Sequence, residues 1–131
     1  MQWNTGKTAT VMMNKIKEIT INSEMVNEQT KHHVKGWYNQ YNFFYFGEFT
    51  TLLMAQGYVQ KLKTHYRLVW NKNKTAAVTM SKIKECTISK DNEKAYSIRG
   101  WYNKENSFLF GTDFKSPEEC HKFLNDINDR L

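Results

Sequence analysis

The residues WNTGKTATVMMNKIKEITI, beginning at Trp3, return as WNKNKTAAVTMSKIKECTI, beginning at Trp70, without a gap and with about two thirds of the positions identical. A repeat this strong constrains the fold more than composition does. A duplicated segment is expected to fold the same way twice and to bury the same positions twice. The copies continue through VKGWYN and IRGWYN, then through the aromatic runs NFFYFGEF and NSFLFGTDF. Each closes on a helix-like segment, TTLLMAQGYVQKL and SPEECHKFLNDI. The repeat unit is roughly 60 to 65 residues long. The first copy is placed at residues 1–65, a ββββα unit, and the second at 66–131, a (β)ββββα unit.

Comparison of the copies predicts which faces are buried. In TATVMM and TAAVTM, Ala9, Val11 and Met13 match Ala76, Val78 and Met80, whereas Thr10 and Met12 become Ala77 and Thr79. Identity at every second position marks one buried strand face and a looser outer face. In the aromatic strand, Phe44 and Phe46 match Phe108 and Phe110, so those rings are expected in the core. Their neighbours Phe43 and Tyr45 become Ser107 and Leu109 and are expected to face outward. In GWYN, Val34, Gly36 and Tyr38 share one face, and Lys35, Trp37 and Asn39 the other. A glycine inside a strand permits close approach of a large ring.

The turns are signalled by NTGK and NKNK, by the segments NSEMVNEQTKHH and SKDNEKAY read as loops, and by NQYN and NKEN. The second helix has Ser116 as its N-cap, Pro117 at the first helical position and Glu119 completing a capping box. Cys120, Phe123, Leu124, Ile127 and Leu131 then form a stripe at helical spacing. The first helix is capped by Thr50 or Thr51 and carries the stripe Leu52, Ala55, Val59 and Leu62, with Gly57 inside it. The fold class is therefore α+β: a tandem duplication of a small antiparallel sheet plus a C-terminal helix. A lone unit of this size is marginally stable, so the copies are expected to pack as a pseudo-twofold pair with a shared core, as one compact unit.

Chemistry is harder to find than architecture. The chain contains no GxSxG, P-loop, HExxH, GxGxxG or DxD pattern. His32, His33, His65 and His121 do not recur between the copies. Cys86 and Cys120 stand where the sister copy has Ile19 and Ala55, which reads as two reduced core thiols in a cytoplasmic protein. These observations predict a non-catalytic protein with no cofactor and no metal. No apolar run approaches membrane-spanning length, and no membrane association is expected.

Charge supplies the functional signal. The net charge is +6, which favours an anionic partner. Lys7, Lys15, Lys17 and Lys35 recur as Lys74, Lys82, Lys84 and Arg99, while acids collect at Glu118, Glu119, Asp126 and Asp129. Basic residues interleaved with aromatics on a sheet suit single-stranded nucleic acid, because charge tracks the backbone and rings stack on bases. Lys15, Lys17, Lys35 and Trp37, with Lys82, Lys84, Arg99 and Trp101, are the candidate nucleic-acid or partner-binding residues. The competing reading is an inhibitor or adaptor of phage or bacterial type that binds a protein such as a nucleic-acid-handling or defence enzyme. In either reading the partner is nucleic acid or an anionic protein surface, and the chain is expected to be a monomer or homodimer. The order SKIKECTI, GWYN, aromatic strand and SPEECHKFLNDI resembles small bacterial β-sheet modules closed by one helix, such as pleckstrin-homology-like domains. That resemblance implies the fold pattern and carries no site residue.

Overall fold

The structure, a computed structural model, describes residues 1–130. It is mixed α+β, with ten strands in three antiparallel sheets and two helices. The chain divides into two compact units, Met1–Met80 and Ser81–Leu131. These boundaries do not coincide with the sequence copies. The hairpin that heads the second copy is built into the first unit.

The first unit begins with a two-stranded hairpin, β1 (Gln2–Trp3) and β2 (Thr10–Val11). Its main sheet contains β3 (Glu18–Val26), β4 (Gln29–Trp37) and β5 (Phe43–Phe49), covered by α1 (Leu52–Tyr66). The chain then forms β6 (Leu68–Trp70) and β7 (Ala76–Thr79), and the five strands run in the order β5-β4-β3-β7-β6. Thr20, Ile19 and Glu18 face Ala76, Ala77 and Val78 across the β3–β7 seam. The second unit contains β8 (Glu85–Asn92), β9 (Ala95–Trp101) and β10 (Ser107–Phe114) in the order β10-β9-β8, with α2 (Pro117–Arg130) packed on β9 and β10.

Equivalent residues make equivalent pairs in the two sheets. Glu18 lies opposite Trp37 and Ile19 opposite Gly36, as Glu85 lies opposite Trp101 and Cys86 opposite Gly100. The partner strands share a bulge: register slips between Tyr45 and Gly47 against Val34–Lys35, and between Leu109 and Gly111 against Ile98–Arg99. The extra residue is Phe46 or Phe110, and both rings are fully buried. Each phenylalanine meets an aromatic side chain of its helix, Tyr58 in one unit and Phe123 in the other.

The GWYN phrase now has a physical reading. A Cβ on Gly36 would fall 2.7 Å from Phe46 Cε2, and one on Gly100 would fall 2.9 Å from Phe110 Cε2. The glycine makes room for the bulged ring. The terminal asparagine holds the following turn: Asn39 Oδ1 accepts from the N–H groups of Tyr41 and Asn42, and Asn103 Oδ1 from those of Glu105 and Asn106.

Several expectations need correction. NSEMVNEQTKHH is not a loop. β3 and β4 run to a two-residue turn at Asn27 and Glu28, both left-handed at φ 50 and 66, so His32 and His33 are strand residues. A turn with positive φ at both central residues matches the twist of its strands. Asn-Glu is a weaker signal for it than Asn-Gly. Ala9 is exposed rather than buried, and Ala77, expected on an outer face, is fully buried inside the five-stranded sheet. Leu52 is exposed, while Ala55, Val59 and Leu62 form the buried stripe of α1. Thr51 is the N-cap of that helix and accepts from Met54 N–H. In α2, Cys120 and Ile127 are buried and Phe123 and Leu124 partly so, and Leu131 lies outside the described residues. Glu119 N–H donates to Ser116 Oγ, and the Glu119 carboxylate accepts from Lys115 N–H, one residue before the cap. Cys120 is buried and Cys86 only partly.

Candidate nucleic-acid interface

Strand alternation sends Thr20, Lys35 and Trp37 to the sheet face of the first unit opposite its core, with Phe43 and Tyr45 from β5 beside them. Trp37 is half-buried. Its Nε1–H donates to Thr20 Oγ1 at 2.8 Å, and its ring lies 4.9 Å from Phe43 at 51°. Lys35 Nζ sits 4.6 Å from the centre of the Phe43 ring, a cation–π contact that holds the ammonium beside the aromatic pair. Lys17 N–H donates to the Trp37 carbonyl at 2.8 Å, bringing Lys17 to the same end of the sheet. Lys15 ends a short 3-10 turn, Met13–Lys15, and is exposed.

Further along this face the character changes. His33 Nδ1 lies 2.5 Å from Tyr45 Oη, and His33 Nε2 lies 2.8 Å from Glu24 Oε1. Lys31 pairs with Glu48 at 3.6 Å. Burial pushes the Tyr45 phenol above its ordinary value, and the Glu48 and Glu24 carboxylates push in the same direction. A phenol held protonated in this way is a poor nucleophile at neutral pH. Among the described residues, no three His, Cys, Asp or Glu side chains are grouped to hold a metal ion.

In the second unit, Trp101 Nε1–H donates to Thr87 Oγ1 at 2.8 Å, the counterpart of the Trp37–Thr20 bond. Lys84 N–H donates to the Trp101 carbonyl, as Lys17 does to Trp37. The surroundings of the ring differ. Ser107 stands opposite Trp101 where Phe43 stands opposite Trp37, so no aromatic side chain lies against this indole among the described residues. A surface groove of about 610 Å³ opens here, lined by Lys84, Glu85, Thr87, Trp101, Asn103 and Lys104. Arg99 is on the same sheet face, its Nη1 donating to Ser107 Oγ at 3.2 Å. Lys82 is exposed on the 3-10 turn Met80–Lys82 and does not line the groove.

The folded chain thus joins Lys35 with Trp37 in one unit and Lys84 with Trp101 in the other. Lys104, Thr87 and Asn103 were missed from sequence. A signal for Thr87 was available, because Thr20 and Thr87 occupy equivalent positions. Lys104 had none, since Gln40 stands in its place in the first copy. No protein-family model, curated protein or solved structure matches the chain. Among the described residues, no helix is long and apolar enough to cross a membrane.

Proposed function

We propose that this chain is a non-catalytic, basic cytoplasmic protein that binds single-stranded or structured nucleic acid, with the Trp101 groove as its main contact surface. The groove carries the reading: one indole and two ammonium groups, Lys84 and Lys104, line the same open surface. A base stacked on Trp101 would leave its flanking phosphates to Lys84, Lys104 and Arg99. Lys35, Trp37, Lys17 and Lys15, with Lys82, form a secondary basic surface in this reading. In this reading a tandem duplication accounts for the shared registers and the shared bulge. The test is a fluorescently labelled oligonucleotide titrated at several salt concentrations. Binding at low ionic strength, with affinity falling linearly on a logarithmic salt scale, is the expected result. Absence of binding at low salt refutes the reading.

A protein-binding role is favoured by a different observation. Leu52, Leu53 and Met54 are exposed at the start of α1, at 39%, 78% and 54%. Their counterparts in α2 are Pro117, Glu118 and Glu119, so this apolar patch belongs to one copy alone. A protein captured from a bacterial lysate in high salt, and lost on Leu53→Glu, supports an inhibitor or adaptor role.

A further inference from the structure

The two sheets differ at one seam. In the first unit the outer edge of β3 is covered by the β6–β7 hairpin, with Ile21 N–H donating to Thr75 O at 2.8 Å and Thr79 N–H to Lys17 O at 2.9 Å. The same hairpin places Trp70 against α1, where Trp70 Nε1–H donates to Gln60 Oε1 at 2.7 Å. In the second unit, β8 is the equivalent strand, and its outer edge pairs with no strand among the described residues. Side chains along that seam are correspondingly less covered. Ile88 is 36% exposed where its counterpart Ile21 is 8%, and Ile83, Cys86 and Leu124 are partly exposed where Ile16, Ile19 and Val59 are fully buried. Asn125, the amide at the place of Gln60, is exposed.

The chain also carries a hairpin that fits this seam. The hairpin segment Trp3–Val11 matches Trp70–Val78 at six of nine positions, and its turn is held the same way. Asn4 Oδ1 accepts from the N–H groups of Thr8 and Ala9, as Asn71 Oδ1 does from those of Thr75 and Ala76. β2 pairs only with β1, through Val11 and Thr10. Its outer edge is the one that β7 uses to bind β3. Trp3 is 50% exposed, whereas Trp70 is 9%.

The geometry points to self-association: the β1–β2 hairpin of a second copy of this chain adds to the open edge of β8. The occupant is set by the seam already formed within the first unit, which shows the repeat-equivalent hairpin, β6–β7, docked on the repeat-equivalent strand, β3, in a defined register. Transferred residue by residue, Thr10 of the second copy lies opposite Cys86, Ala9 opposite Thr87, and Val11 opposite Glu85. Trp3 of the second copy packs on α2 with its indole N–H directed at Asn125. Strand addition satisfies the backbone groups of an open edge. Two chains that exchange hairpins reciprocally close as a twofold dimer.

The register supplies its own test. The β3–β7 counterpart of the Thr10–Cys86 pair, Ala77 opposite Ile19, is a hydrogen-bonded antiparallel pair, and residues so placed have Cα atoms about 5.5 Å apart, within disulfide reach. Thr10→Cys in the full chain, oxidised with diamide, is expected to give a covalent dimer linked between the introduced thiol and Cys86 of the second copy. Adding Cys86→Ser is expected to abolish that link. A disulfide within one chain, or none at this pair, overturns the proposal. Sedimentation of the unaltered chain over a range of concentrations provides an independent readout. Concentration-dependent association is expected, and a monomer throughout overturns it.

Discussion

Gly36→Ala would place a methyl group 2.7 Å from Phe46 Cε2 and 3.2 Å from Ile16 Cδ1. Both neighbours are fully buried, so neither side chain can swing into solvent to make room. Overpacking of this kind costs about 1–3 kcal/mol. Against it stands the usual benefit of replacing a strand glycine with alanine, about 0.5–1 kcal/mol from reduced freedom of the unfolded chain. The balance is a loss of about 1–2 kcal/mol. Gly100→Ala repeats the experiment in the second unit, with 2.9 Å to Phe110 Cε2 and 3.1 Å to Ile83 Cδ1, and a similar loss is expected. Gly57→Ala is the control. That glycine lies inside α1 with nothing within 4 Å of its added Cβ, so the same substitution should stabilise the chain by about 1 kcal/mol. Urea unfolding followed by tryptophan fluorescence measures all three. The cause is isolated by adding Phe46→Leu to Gly36→Ala. With the ring removed the methyl has space, and the double variant should be more stable than the two single losses predict by about 1 kcal/mol. If Gly36→Ala stabilises the chain as Gly57→Ala does, the bulged ring is not the reason for the glycine.

Three further outcomes are expected. Lys84→Gln and Lys104→Gln should each lower the logarithmic salt slope of oligonucleotide binding by about 1, and Trp101→Ala should cost about 1–3 kcal/mol of affinity, all read by fluorescence anisotropy. Burial raises Cys86 above its ordinary 9.0 and, as the leading cause, Tyr45 and Tyr58 above their ordinary 10.0. The unfolded chain therefore releases these protons first. Their contribution is whole below about pH 9 and is lost as pH rises through the folded values, so denaturation midpoints should fall on the alkaline side, and Cys86→Ala should delay the onset. Thr51→Ala and Ser116→Ala each remove a cap to the third helical N–H, at 3.1 Å in both helices, and should each cost about 1 kcal/mol in the same unfolding assay.

The sequence by itself determined part of the local structure. Ser116 marked one helix start, and Thr50 or Thr51 narrowed the other to two residues. Alternation set the inward face of β5 and β10, and the repeat foretold that Gly36 and Gly100 answer the same need. These features were legible because each depends on neighbours a few residues away, or on a comparison that the second copy supplies for every position of the first. The β3–β4 turn was missed because Asn27 and Glu28 adopt left-handed backbone without glycine.

Only the tertiary structure decided which strand lies beside which. The repeat gives β2 and β7 equivalent positions, with Val11 matching Val78 and Thr10 standing for Ala77, yet β7 is enclosed between β3 and β6 while β2 pairs only with β1. Sequence pattern describes what a strand can pair with, and a backbone edge accepts any partner of suitable length and twist. The choice is made by where the rest of the chain delivers that partner. That is why Ala77 is buried and Thr10 exposed, and why Trp70 is covered while Trp3 is not. It is also why the Trp101 groove could not be read from a phrase that the chain spells identically around Trp37.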